Sequence, residues 1–276
     1  MNNPLSYSSI KLDLFSKEGV RLKSASGFIV EAGNQYFLVT NMHALSGRDM
    51  PANKKPGPAI EPYALKTSVH IYEATGVKLG SISMGMRKRI NVPLYDENDA
   101  PRWIESRADK ERQFPVDIAA LPIQLNLTLR LFSGKLPGIN INKGPWAGNE
   151  DYRTKISAIP LSAIDTDVEY GPPDAVHVIG YPLSWAPEGS DRSSSAFWRT
   201  SFIASEMREP GMNRSGSFFI DPCPAEGMAG SPVVGMKNDR LKLLGVYSDH
   251  STIEFGADAG LVWDALLLKE LIGASE

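Results

Sequence analysis

The sequence predicts an all-β protein, a sandwich or a pair of barrels, finished by one terminal helix. Its apolar segments are short and numerous, and each stops at a turn signal. Gly 24 and Pro 20 are spread along the 276 residues rather than gathered into a linker. Helical spacing of apolar residues appears only near the end, in LVWDALLLKELIG.

Taken in chain order, GFIVEA and QYFLVTNMHAL flank Gly33-Asn34, the signature of a hairpin turn that accepts positive φ. An irregular piece, Ser46–Pro62, follows, rich in Pro, Lys and Gly. SVHIYEA and VKLGSISM read as strands, and the basic MRKRI (Met86–Ile90) reads as a solvated strand end or loop. Residues 91–114 are polar without a β period, an insertion between strands with a short helix expected around Trp103–Arg112. DIAALPI is the next strand, and strand patterning then breaks across Ser133–Tyr152. That break divides the chain into an N-terminal unit, about 1–140, and a C-terminal unit, about 141–276.

AVHVIGYP, SFIASEM, GSFFIDP, SPVVGMK and LKLLGVYS supply the later strands, and Ser184–Trp198 reads as a surface loop. KNDR (Lys237–Arg240) is expected to turn the last hairpin. The terminal helix is expected over about 262–272, with Val262, Leu266, Leu267 and Leu271 on one face and Gly273 as its cap.

Composition narrows the function classes. The net charge of −3 and pI near 5.9 give no global basic field, so nucleic acid is not an expected partner. A single cysteine, Cys223, rules out an intramolecular disulfide framework. The N-terminal segment lacks the pattern of a signal peptide, and no apolar run is long enough for a membrane-spanning helix. A cytoplasmic protein without a membrane partner is the expectation. No Cys/His/Asp/Glu cluster has metal-site spacing and no phosphate loop precedes a helix, so no metal or organic cofactor is expected.

Three stretches carry candidate chemistry: SGFIVEAGNQYFLVTNMHAL with His43, FPVDIAALPI with Asp117, and DPCPAEGMAGSPVVG with Ala229. Taken singly, His43 is a strand-end histidine, Asp117 a turn residue and EGMAGSP a tight turn. In this order they resemble the trypsin-like (chymotrypsin-fold) serine peptidases, above all their disulfide-poor bacterial branch. The resemblance spans roughly Gly27 to Val262 and implies two packed antiparallel β-barrels with a cleft between them. It also implies a serine endopeptidase cleaving a protein or peptide substrate through an acyl-enzyme.

The resemblance further assigns roles. His43 is the general base, Asp117 the carboxylate that fixes its tautomer, and position 229 the nucleophile, where alanine replaces the expected serine. The backbone N–H groups of Gly227 and Ala229 form the oxyanion hole, which loss of a side-chain hydroxyl leaves intact. Ser248, in GVYSDH, supports Asp117, and the edge Tyr247–Asp249 pairs with substrate backbone. Cys223 lies at the floor of the primary specificity pocket, with Glu226 and His250 at its rim. Asp249 and His250 depart from the family's usual Trp and Gly, so an unusual specificity is expected. His70 and His177 are expected to be structural.

Ala229 admits three explanations: a Ser→Ala change of an active peptidase, a natural pseudoprotease that binds peptide, or a nucleophile displaced to Ser231. The first is preferred, because His43, Asp117, Ser248 and Gly227 all still suit catalysis. Met228 replaces the aspartate that zymogen-activated relatives pair with a new N-terminus. Control by a regulatory protein partner or by narrow substrate choice is therefore expected, in the manner of bacterial stress or defence systems.

Overall fold

The computed structural model describes residues 5–47, 62–73, 84–105, 116–123, 154–164, 170–183, 196–207, 216–237, 240–252 and 258–273. The fold is all-β, a half-barrel sheet packed on a closed barrel, with a helix at the C-terminal end. This architecture is compatible with the chymotrypsin-like fold.

The first lobe begins with a single helical turn, α1 (Leu5–Ser8), then β1 (Ser9–Phe15), β2 (Arg21–Ala32) and β3 (Gln35–Thr40). A further helical turn, α2 (Met42–Ser46), precedes β4 (Ala64–Glu73), β5 (Met84–Pro93), β6 (Ile104–Glu105) and β7 (Ala119–Ile123). Their order in the sheet is β5-β4-β1-β2-β3-β7-β6. Two late strands join this sheet: β8 (Thr154–Ile156) pairs with β4, and β9 (Ile159–Pro160) runs parallel to β2. The first sheet therefore draws on chain from both sides of 133–152, a segment that itself lies outside the described residues.

The second lobe comprises β10 (Ala175–Gly180), β11 (Phe197–Ile203), β12 (Ser217–Asp221), β13 (Pro232–Lys237), β14 (Arg240–Thr252) and β15 (Asp258–Asp264). These close into a six-stranded barrel in the order β10-β11-β12-β15-β14-β13. The chain ends in α3 (Ala265–Gly273).

Strand alternation explains where the cores lie, because successive side chains of a strand face opposite sides of the sheet. Ile29 of β2, Leu38 of β3 and Leu121 of β7 face the first lobe's own core, with Leu12, Leu14 and Leu65. Their neighbours Phe28, Val30, Phe37, Val39 and Ala120 face the other way, against Val234, Leu243, Val246 and Trp263 of the second lobe. Two-sided burial is why GFIV and YFLV read as continuous apolar runs rather than as alternating strands. A third cluster, with Val176, Val178, Phe218, Ile220, Val233 and Leu244, fills the closed barrel.

The Gly33–Asn34 hairpin forms as expected: Ala32 pairs with Gln35, and Gly33 takes a φ of 56°. Lys237 likewise pairs with Arg240, although the two turn residues between them lie outside the described set. Also outside it are residues 77–83 of VKLGSISM, 48–61 of the Pro-rich piece and 184–195 of the surface loop.

Three expectations need correction. MRKRI is neither a strand end nor a loop, since all five residues lie inside β5 and pair with β4. The helix expected from Trp103 is replaced at Ile104–Glu105 by strand β6, which pairs with β7, while residues 106–112 lie outside the described set. Trp103 itself is a buried anchor, edge-on to Tyr95 with ring centroids 5.4 Å apart. The terminal helix starts at Ala265, not Val262. Val262 and Trp263 remain in β15, paired with β12 and β14, and the Asp264 carboxylate caps the helix by accepting the Leu266 N–H at 2.8 Å. Gly273 is the last helical residue rather than a cap beyond it. The buried face of α3, Leu267, Leu268, Leu271 and Ile272, belongs to the cluster between the lobes.

Candidate active site

His43, Asp117 and Ser248 meet around one carboxylate where the two lobes touch. β3 ends at Thr40, and Asn41, extended at φ −75° and ψ 144°, starts the α2 turn that carries His43. Gly47, left-handed at φ 67°, ends that turn by donating its N–H to the His43 carbonyl. Asp117 stands just before β7, which lies beside β3, so the two strands bring the pair together.

Asp117 is buried, and a buried carboxylate needs donors. It has three. Its Oδ1 accepts the His43 backbone N–H at 2.9 Å, and its Oδ2 meets His43 Nδ1 at 2.7 Å. The Ser248 hydroxyl donates to the same Oδ2 at 2.6 Å from the other lobe. Oδ2 already takes the Ser248 hydroxyl and Oδ1 a backbone N–H, so the 2.7 Å contact is a hydrogen bond in the His43 tautomer that carries its proton on Nδ1. The imidazole is a quarter exposed, so it reaches solvent while its partner does not. Behind it, the Asn41 side-chain amide donates to the Asp117 backbone carbonyl at 2.8 Å.

The EGMAGSP loop is built from two consecutive tight turns. Met228 N–H bonds to Ala225 C=O at 3.2 Å, and Ser231 N–H bonds to Met228 C=O at 3.0 Å. Gly227 and Gly230 occupy the third position of each, at φ 89° and 88°, where a type II turn favours glycine. Space enforces the same choice: a side chain on Gly230 would run into the Ser26 carbonyl and the Thr40 hydroxyl. One on Gly227 would stand 2.7 Å from Leu183.

Every carbonyl from 226 to 229 is bonded. Glu226 accepts from Leu183 N–H at 2.9 Å, Gly227 from the Ser26 hydroxyl at 2.9 Å, and Ala229 from Ser26 N–H at 3.1 Å. Met228 accepts from Ser231, as above. In a trans peptide the N–H points opposite its carbonyl. The Gly227 N–H is thus directed away from Leu183, and the Ala229 N–H away from Ser231. Among the described residues neither N–H reaches an acceptor. The loop therefore presents two backbone donors beside position 229.

The remaining residues divide. Tyr247 corrects the expectation of an exposed edge: its ring is buried, and its N–H and C=O are bonded to Ser231 and Gly230 at 2.9 and 2.7 Å. Any free edge of β14 begins after Tyr247. The β14–β15 register slips between Tyr247 and His250, and this irregularity includes Ser248. Cys223 is half-buried, with Sγ 3.2 Å from the Tyr247 hydroxyl. Glu226 has an exposed side chain, and only its carbonyl joins the loop's bonding. Asp249 and His250 lie in β14, but their side chains fall outside the described set. The same holds for His70 in β4, whereas His177 pairs with Thr200 at 3.1 Å on β10 and β11. Ser231 is wholly buried, with its hydroxyl against Gly180, which removes it as a displaced nucleophile.

Two contributors escaped sequence reading. Ser26 and Asn41 both lie inside the stretch that carries His43 but were given no role there, although Asn41 is a polar residue, fully buried, two places after the apolar run YFLV. Among the described residues no three His, Cys, Asp or Glu side chains are placed to hold a metal ion, and no helix is long and apolar enough to cross a membrane. No known protein-family model matches the chain, and no curated protein matches its sequence.

Proposed function

We propose that this chain carries the machinery of a serine endopeptidase, with alanine standing at the nucleophile position. The observation that supports it best is the pairing of two independent devices. A buried carboxylate bonds the His43 ring at Nδ1, and a loop carries two N–H groups beside residue 229 that reach no acceptor among the described residues. Gly230 packs against Thr40, three residues before His43, so the two devices adjoin.

With serine at 229, His43 Nε2 takes the hydroxyl proton as Oγ attacks the substrate carbonyl carbon. The carbonyl π electrons move to oxygen, and the N–H groups of Gly227 and Ala229's successor serine stabilise that oxyanion. Collapse breaks the C–N bond, His43 returns its proton to the leaving amine, and water then hydrolyses the acyl-enzyme by the same route. Asp117 stays ionised and orients the imidazole throughout. With alanine at 229 no acyl bond forms, while the backbone donors persist. The substrate is a protein or peptide, whose main chain pairs with β14 beyond Tyr247.

The test is Ala229→Ser followed by fluorophosphonate labelling and cleavage of a broad peptide library. Covalent labelling at 229 with turnover is expected. A folded, restored protein that neither labels nor cleaves would overturn the reading. Peptide binding by the alanine form without gain of cleavage on restoration would favour the second reading, a natural peptide-binding scaffold, to which Ala229 itself points.

A further inference from the structure

The loop that carries the Gly227 and Ala229 N–H groups belongs to the second lobe, yet it is gripped by one residue of the first. Ser26 lies on β2, wholly buried. Its backbone N–H donates to the Ala229 carbonyl at 3.1 Å, and its carbonyl accepts the Thr40 hydroxyl at 2.8 Å. Its side chain does more. Ser26 Oγ accepts the Tyr181 N–H at 2.9 Å and stands 2.9 Å from the Gly227 carbonyl. An N–H can only donate and a carbonyl can only accept, so the direction is forced: Tyr181 N–H to Ser26 Oγ, and Ser26 O–H to Gly227 C=O.

This relay matters because of which peptides it holds. The Gly227 N–H belongs to the 226–227 peptide, whose carbonyl is fixed by Leu183 N–H; the Gly227 carbonyl belongs to the next peptide, fixed by Ser26. Gly227, with its left-handed φ of 89°, is therefore pinned on both sides. Glycine is the residue freest to rotate away from that conformation. Tyr181 and Leu183 both follow β10, so the Ser26 hydroxyl completes a clamp whose other jaw is the end of that strand.

We propose that Ser26 is a positioning residue, whose hydroxyl holds the Gly227 N–H in the orientation that receives the oxyanion. The proposal rests on the peptidase reading for its kinetic consequence, but not for its structural one. Ser9 provides an internal control. It too is a buried serine of the first lobe: its hydroxyl donates to the Ile179 carbonyl across the same interface at 2.7 Å, and its carbonyl accepts the Tyr181 hydroxyl at 3.2 Å, a main-chain bond that Ser9→Ala keeps, while neither group touches the loop.

The experiment has two arms. In the Ala229→Ser chain, Ser26→Ala is expected to lower kcat about tenfold to a hundredfold, the effect of a small displacement of a reacting group, with KM nearly unchanged. Ser9→Ala is expected to leave kcat near that of its parent. In the alanine form, amide NMR is expected to show the Gly227 resonance shifted or broadened by Ser26→Ala but not by Ser9→Ala. If Ser26→Ala does not fold, Ser26→Cys, with its weaker donor, takes its place in both arms. An unmoved Gly227 amide, or equal kcat losses in the two serine variants, overturns the proposal. An inert Ala229→Ser parent overturns the peptidase reading alone, and the amide resonance then decides the clamp by itself.

Discussion

Asp117 meets side chains of both lobes, so its substitutions separate geometry from charge. Asp117→Asn keeps the shape but offers an N–H₂ where an acceptor is needed, favouring the wrong tautomer of His43. In the serine-restored chain, kcat is expected to fall about ten-thousandfold, read by burst and steady-state hydrolysis of a library-derived peptide. Asn41 acts one step behind. Asn41→Ala orphans the buried Asp117 carbonyl, a change costing about 1–3 kcal/mol in general. The effect is expected at the low end of that range, because Asn41 Oδ1 has no hydrogen-bond partner among the described residues and its desolvation cost leaves with it. Urea denaturation of wild type and variant measures the difference. Asn41 and Ser26 stand in the quoted stretch around His43, yet their roles were not legible, because each side chain bonds a backbone carbonyl, 76 and 201 residues away, that no residue type announces. His43, Asp117 and Ser248 were legible because local motifs surround each of them.

At the scale of elements, the EGMAGSP loop was readable because backbone geometry dictates residue type. Gly227 and Gly230 sit at positive φ in crowded sites, so a spacing of three between glycines reports the two turns directly. Gly230→Ala combines a disfavoured φ with a collision against Ser26 and Thr40. It is expected to destabilise the fold by about 1–3 kcal/mol or more, measured by denaturant titration. The boundary between β15 and α3 was misread for a related reason. Val262, Leu266, Leu267 and Leu271 fit helical spacing, but the ladder to β12 and β14 claims Val262 and Trp263, and the Asp264 cap sets the start. Tyr247 was misread because strand membership does not say which edge is still open. Its two main-chain groups are taken by the loop it was expected to adjoin.

The molecule as a whole is held by the two-sided strands of the first lobe. Phe28 is fully buried at the junction with the second lobe, whereas Ile29, its neighbour, is buried within the first. Phe28→Ala is expected to cost about 3–5 kcal/mol, and Ile29→Val about 0.5–1.5 kcal/mol. Only the first is expected to weaken lobe packing as well, visible as faster proteolysis between the lobes before global unfolding. The continuous apolar runs foretold burial on both faces of β2 and β3, but not the identity of the second face. That face is assembled from residues of β13, β14, β15 and α3, and pairing across such separations leaves no local trace.

The Ser248 hydroxyl carries a consequence for the whole chain. It crosses from the barrel to a carboxylate in the half-barrel, while Ser26 crosses the other way to the loop. Neither lobe alone therefore holds both ends of these bonds, and the proposed site is a property of their contact. In the serine-restored chain, a mild denaturant that eases the lobes apart by a hydrogen bond's length is therefore expected to abolish fluorophosphonate labelling at 229 while both sheets stay folded.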